Sequence, residues 1–208
     1  MEREHSRRKV IATAVGTIGL GSLSGCVLGE DRTYEQVQEL PAPTLGEDDA
    51  PVTVRVFEDL GCPACRQFTE EVKPRLVEEF VQTGDVRFQW NDFVIPVTSQ
   101  SAAAANAARA VQEELGEEAH WDFTDTAYRN QGDLSYDFYA TVAEEFGVED
   151  TEVVTTKARE RTYSPVIETD KSEGNDIGVE GTPSVVVNGV LQEDFGYNTV
   201  ARAIRQEL

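Results

Sequence analysis

Two cysteines three residues apart, with a proline after the first, sit where a strand pattern gives way to a helix pattern. Pro51-Val-Thr-Val-Arg-Val-Phe57 alternates β-branched apolar residues and reads as a strand; Gly61-Cys62-Pro63-Ala64-Cys65 ends it. Phe68, Val72, Leu76, Phe80 and Val81 follow near a three-to-four spacing, which reads as an amphipathic helix. Pro63 fits the first turn of that helix, which has no use for its missing N–H. The Cys62 sulfur is therefore expected at the helix N-terminus, beside unpaired N–H groups and the positive end of the dipole, where a thiolate is stabilised. Cys65 lies one turn on and can close a small ring. Such a pair can attack a partner disulfide through Cys62 and be released by Cys65.

Other uses of the pair are open to a sequence. Tetrahedral zinc needs four ligands. Beyond the pair the chain offers Cys26, His5 and His120, and only His120 lies in its body. Two-coordinate copper(I) needs the thiolates alone, so a copper(I)-binding or copper-delivery protein is the alternative from a different class. The lack of other soft ligands, with Met1 the sole methionine, counts against it. A merely structural bridge across so small a loop gains little entropy.

The 208 residues suit one domain with a tail. Pro74 should kink the first helix and Gly84 should stop it. Val86–Phe93 reads as a second strand, and Ser101–Leu115 as an Ala-rich helix. Further helices are expected over 118–129, 135–146, 150–161 and near 164–175. Ser184–Val187 is a strand, Asn188-Gly189 a hairpin turn that pairs Val190-Leu191 back, and Asn198–Leu208 a closing helix. The first two strands flank a crossover helix and should be parallel. This order describes an α/β domain with a helical insertion.

Thirty-nine acidic residues against 18 basic ones leave a net charge of -21, which excludes a nucleic-acid partner. Only Lys9, Lys73, Lys157 and Lys171 are lysines, and the acids are dispersed along the chain. That pattern resembles proteins of extreme halophiles, whose carboxylates stay hydrated while salt screens their repulsion. Thermal stability should rise between dilute and molar salt; an unchanged melting temperature would refute the halophilic reading. Residues 1–25 read as a signal peptide, with a basic head, the pair Arg7-Arg8 and an uncharged run from Val10 to Gly25. The arginine pair resembles a twin-arginine signal. Leu23-Ser24-Gly25-Cys26 resembles a lipobox, which implies cleavage before Cys26 and a diacylglycerol on its thiol. Residues 26–50 read as an acidic tether between the membrane and a domain over 51–208.

Cys62-Pro-Ala-Cys65 after a strand, with Gly181-Thr182-Pro183 before Ser184-Val-Val-Val-Asn-Gly189, resembles the DsbA-like branch of the thioredoxin fold. The Ala-rich helix leading to Trp121-Asp-Phe and Arg129-Asn-Gln131 is similar to that branch's inserted helical domain, here about 99–176. The resemblance implies an extracytoplasmic thiol–disulfide oxidoreductase that forms, reduces or isomerises protein disulfides without a cofactor. It makes Cys62 the attacking and Cys65 the resolving cysteine, with Pro63 and Ala64 completing the active-site loop. Pro183 would follow a cis bond, face the pair and bar metal from the sulfurs, leaving the Thr182 backbone to pair with an extended substrate. Its implied partners are exported proteins carrying thiols or disulfides and a membrane redox partner.

Two positions depart from that pattern. Many relatives carry an acid six residues before the first cysteine, where this chain has Val56. Glu58 and Asp59 lie closer, on the loop approach, and the Cys65 proton is left to one of them or to water. Ala64 stands where strongly oxidising relatives have histidine, so a less oxidising pair is expected. His120 reads as a surface helix residue, and Asp122 and Asp125 form no metal pattern. No Gly-rich phosphate loop or Gly-x-Ser-x-Gly elbow occurs.

Overall fold

The computed structural model describes residues 32–208. The signal-peptide reading, Arg7-Arg8, the lipobox and Cys26 lie outside the described residues. In chain order the elements are β1 (Thr44–Leu45), β2 (Val52–Glu58), α1 (Pro63–Gln67), α2 (Lys73–Leu76) and β3 (Val86–Asp92). The helical block follows: α3 (Ser101–Leu115), α4 (Glu117–Arg129), α5 (Tyr136–Glu145), α6 (Thr151–Glu160) and α7 (Ser164–Ile177). β4 (Ser184–Val187), β5 (Val190–Leu191) and α8 (Tyr197–Glu207) close the chain. The five strands form one mixed sheet in the order β1-β3-β2-β4-β5.

β2 is the central strand. It runs parallel to β3, with Val54 opposite Phe88, and antiparallel to β4, with Val56 opposite Val185. Val52, Val54, Val56 and Phe57 are fully buried, as apolar residues of a central strand must be. The Asn188-Gly189 turn takes positive φ at both residues, 44° and 85°, and returns β5 onto β4. α3 packs on α4 and α6. Its alanines at 103, 104, 105, 107, 108 and 110 are all buried, and their small side chains permit a close approach. Among the described residues no helix is long and apolar enough to cross a membrane.

The helix after the cysteines runs over 63–81 and absorbs Pro74 differently from a simple kink. A wide π turn, Phe68–Val72, joins α1 to α2, and a second, Val77–Val81, follows. Pro74 has no N–H to give the preceding turn, and its ring would collide with a carbonyl there, so the turn widens. Gly84, at φ 83°, then ends the helical path.

The fold begins before residue 51. Residues 32–50, expected to form most of a free tether, run along the domain instead. Val37 N donates to Thr162 O (2.8 Å), Trp90 N donates to Pro43 O (2.9 Å), and β1 pairs antiparallel with β3. Without this segment β3 would be an open edge. A two-residue strand leaves no periodicity in the sequence, so composition alone made the stretch look like a linker.

Candidate active site

The site forms where β2 ends and α1 starts. Cys62 is the N-cap of α1, with φ −84° and ψ 121°, and Pro63 occupies the first turn. The approach loop is held by Asp59: its carboxylate accepts from Gly61 N (2.7 Å) and Ile95 N (2.8 Å), and its carbonyl accepts from Cys62 N (2.9 Å). A Cβ on Gly61 would lie 2.5 Å from Ser101 Oγ, so only glycine lets this loop sit against the start of α3. From the helical insertion, Gln131 Nε2 donates to Leu60 O (2.8 Å) and to Cys62 O (2.9 Å). Both cysteines are reduced and buried, Cys62 6% and Cys65 0% exposed.

The Thr182–Pro183 bond is cis. Thr182 O lies 3.3 Å from Cys62 Sγ and accepts from it only while the sulfur is protonated. The structure therefore brings Cys62, Cys65, Pro63, Ala64, Thr182 and Pro183 to one place. Hydrogen bonding from the Cys65 thiol, with Thr182 and the Cys65 and Ala64 amides, outweighs burial and lowers Cys62 to about 5. Burial, then the hydrogen bond to Cys62 and the charge of Glu58, push the Cys65 thiol far up. One sulfur is a thiolate at neutral pH while the other holds its proton.

Glu58 is not on the loop. It is the last residue of β2, 1% exposed, and accepts a hydrogen bond from Tyr128 Oη at 2.5 Å. Burial pushes it up to about 8, against the opposing Tyr128 hydrogen bond and Lys73 charge. Asp59, mainly through burial, is also raised. The charge of this buried acid thus acts on the resolving thiol even though Val56 occupies the family's usual acid position.

His120 also departs from the expected surface position. It is fully buried, not on the surface, with its ring edge-to-face on Trp90 at 5.3 Å. Neither ring nitrogen has a hydrogen-bond partner, and burial holds its pKa well below the ordinary histidine value. His120, Thr124, Ala127 and Tyr128 fall on one helical stripe and are all buried. That three-to-four spacing was the available signal for both His120 and Tyr128. Asp125 pairs with the buried Lys73. Among the described residues no group of three His, Cys, Asp or Glu side chains converges to hold a metal.

A family model described as Thioredoxin matches residues 38–206. The chain belongs to the thioredoxin family. It is 30% identical over 200 residues to the probable disulfide bond formation protein D of Bacillus cereus, covering 92% of this chain and 91% of that one. Disulfide bond formation protein D of Bacillus subtilis is 25% identical over 186 residues, covering 86% and 83%. Among solved structures, oxidised BdbD from Bacillus subtilis superposes with a TM-score of 0.74 at 26% identity, over 84% of this chain and 98% of that one. The fold is thioredoxin-like with a helical insertion, as in the DsbA-like structures, and the protein is a thiol–disulfide oxidoreductase.

Proposed function

We propose that this thioredoxin-family enzyme forms disulfides in exported proteins on the outer side of the membrane, with Cys62 attacking and Cys65 resolving. The observation that carries the reading is the Cys62 sulfur, set at the start of α1 and lowered to about 5, first by hydrogen bonding from the Cys65 thiol. A low-pKa sulfur is a good leaving group and stabilises the reduced pair, which makes the disulfide form an oxidant. A substrate thiolate attacks Cys62 of the oxidised pair and Cys65 leaves. A second substrate thiolate then attacks the mixed disulfide, and Cys62 leaves as the thiolate. The Thr182–Pro183 loop supports the extended substrate through its backbone. In the reverse direction, or on reoxidation, Cys65 must lose its proton, and Glu58 takes it. The disulfide bond formation proteins among the relatives support the oxidative direction.

The test is the reduction potential in glutathione buffers. Interpolating between the thioredoxin and DsbA pairs, a cysteine near 5 corresponds to a potential on the order of −180 mV. A value near about −270 mV would make the pair a reductant and overturn the proposed direction.

The leader over 1–25 and a lipid on Cys26 would carry the domain out and hold it at the membrane, where a membrane redox partner would reoxidise it. Cys26→Ser should move the protein from the membrane to the soluble fraction; retention at the membrane would remove the lipid anchor from this reading. The dispersed acidity supports the halophilic setting. The copper(I) alternative draws no support from the relatives, whose names describe disulfide formation.

A further inference from the structure

We infer that Tyr128, contributed by the helical insertion, is a positioning residue for the redox step: its hydroxyl holds Glu58 as the acceptor for the Cys65 proton. The inference rests on the role of Glu58 proposed above. Tyr128 and Glu58 are 70 positions apart, and no sequence motif joins them. Tyr128 is fully buried near the C-terminal end of α4; its Oη donates to Glu58 Oε2 at 2.5 Å and lies 3.4 Å from Asp59 O. Three residues on, Gln131 grips the Leu60 and Cys62 carbonyls. The insertion therefore holds both the active-site loop and the acid behind it.

The charged and titratable groups around Glu58 are few. Cys62 and Cys65 face it from α1, Lys73 from α2, and Tyr128 and Asp125 from α4; Asp59 follows it in the chain. Lys73 already pairs with Asp125, so Tyr128 is the neutral donor that binds the carboxylate directly. A phenol hydrogen bond stabilises the carboxylate over the acid and so opposes the burial that drives Glu58 up to about 8. Burial and the neighbouring Glu58 charge push Tyr128 well above the ordinary tyrosine value, so it remains a donor wherever Glu58 titrates.

The step balances. Cys65 Sγ passes its proton to a Glu58 carboxylate oxygen, and the resulting thiolate attacks Cys62 Sγ. The Cys62–Cys65 disulfide forms, the bond from Cys62 to the partner sulfur breaks, and that sulfur leaves with the electron pair. The rate should follow the ionised fraction of Glu58. Without the Tyr128 hydroxyl, Glu58 ionises at higher pH and the step is impaired at neutral pH.

The experiment mixes the reduced full-length chain, carrying Cys26→Ser so that only the redox pair supplies thiols, with 5,5′-dithiobis(2-nitrobenzoate) in a stopped-flow instrument across pH. The first thionitrobenzoate leaves when Cys62 attacks, the second when Cys65 resolves. The second phase should have its pH midpoint near 8 in this parent chain. Tyr128→Phe should move that midpoint up by about one unit or more, the loss of one hydrogen bond to a charged group, with the first phase retained. Difluorotyrosine at position 128 keeps the shape and donates more strongly, so it should move the midpoint down. Glu58→Gln should slow the second phase and abolish the midpoint. An unmoved midpoint in the difluorotyrosine protein, or in a folded Tyr128→Phe, overturns the role of Tyr128 while Glu58→Gln still supports the acid. The parent profile in Glu58→Gln overturns the Glu58 reading itself, and this inference with it.

Discussion

Cys62→Ser is expected to lower disulfide exchange by more than about 10³-fold, because a hydroxyl can neither form the mixed disulfide nor leave from one. Cys65→Ala should do something different. It keeps the attacking sulfur and the Thr182–Pro183 loop but removes the thiol that releases the bound partner, so covalent enzyme–substrate adducts should accumulate on a non-reducing gel. The asymmetry follows from the site: Cys62 is held at the start of α1 and lowered to about 5, whereas Cys65 is buried and keeps its proton. Alkylation of the reduced Cys26→Ser chain by iodoacetamide should accordingly show a pH midpoint near 5 from Cys62. A midpoint near the ordinary thiol value of about 8.5 would remove the basis for assigning the attack to Cys62.

Arg109→Met is expected to destabilise the protein by about 3–5 kcal/mol near neutral pH, roughly a 10 °C fall in melting temperature. Arg109 is fully buried on α3. Its Nε donates to Asp92 at 2.7 Å at the end of β3, and one terminal nitrogen donates to Asp170 at 2.7 Å on α7. The other reaches Gln112 at 3.0 Å and Pro41 O at 3.2 Å. One guanidinium thus joins the sheet, two helices of the insertion and the N-terminal segment. Removing it leaves two carboxylates in a low-dielectric site with no cation, which costs far more than the pair contributes while intact. Burial pushes Asp170 up to about 6, against the pull of Arg109. A raised carboxyl favours the folded state below its unfolded pKa and loses that advantage as pH rises through its folded pKa. Without Arg109 the folded pKa rises further, so the destabilisation should shrink on acidification towards pH 4. Chemical denaturation at pH 7 and pH 4 checks both magnitude and sign. A loss under about 1 kcal/mol at pH 7 would mean that water or local relaxation compensates the two carboxylates.

The sequence of this chain determined its local structure and its reacting atoms. Period-two alternation set β2 and β3 because one strand face must be buried, and the Asn188-Gly189 turn set the final hairpin through its positive-φ residues. Cys62 and Cys65 were legible because a proline in the first turn fixes which sulfur caps the helix. Tertiary structure alone decided what surrounds those sulfurs. It buried Glu58 at a strand end that reads as a loop, brought Tyr128 to it and brought Gln131 to the Leu60 and Cys62 carbonyls, each from about seventy residues away. It also put His120 inside, fastened residues 43–45 to the sheet and Val37 to the turn before α7, and enclosed Arg109 between two carboxylates. Periodicity and turn chemistry act over a few residues and leave their mark on neighbours. Burial of charge depends on which distant elements meet, and two residues that touch only after folding carry no shared spacing in the chain.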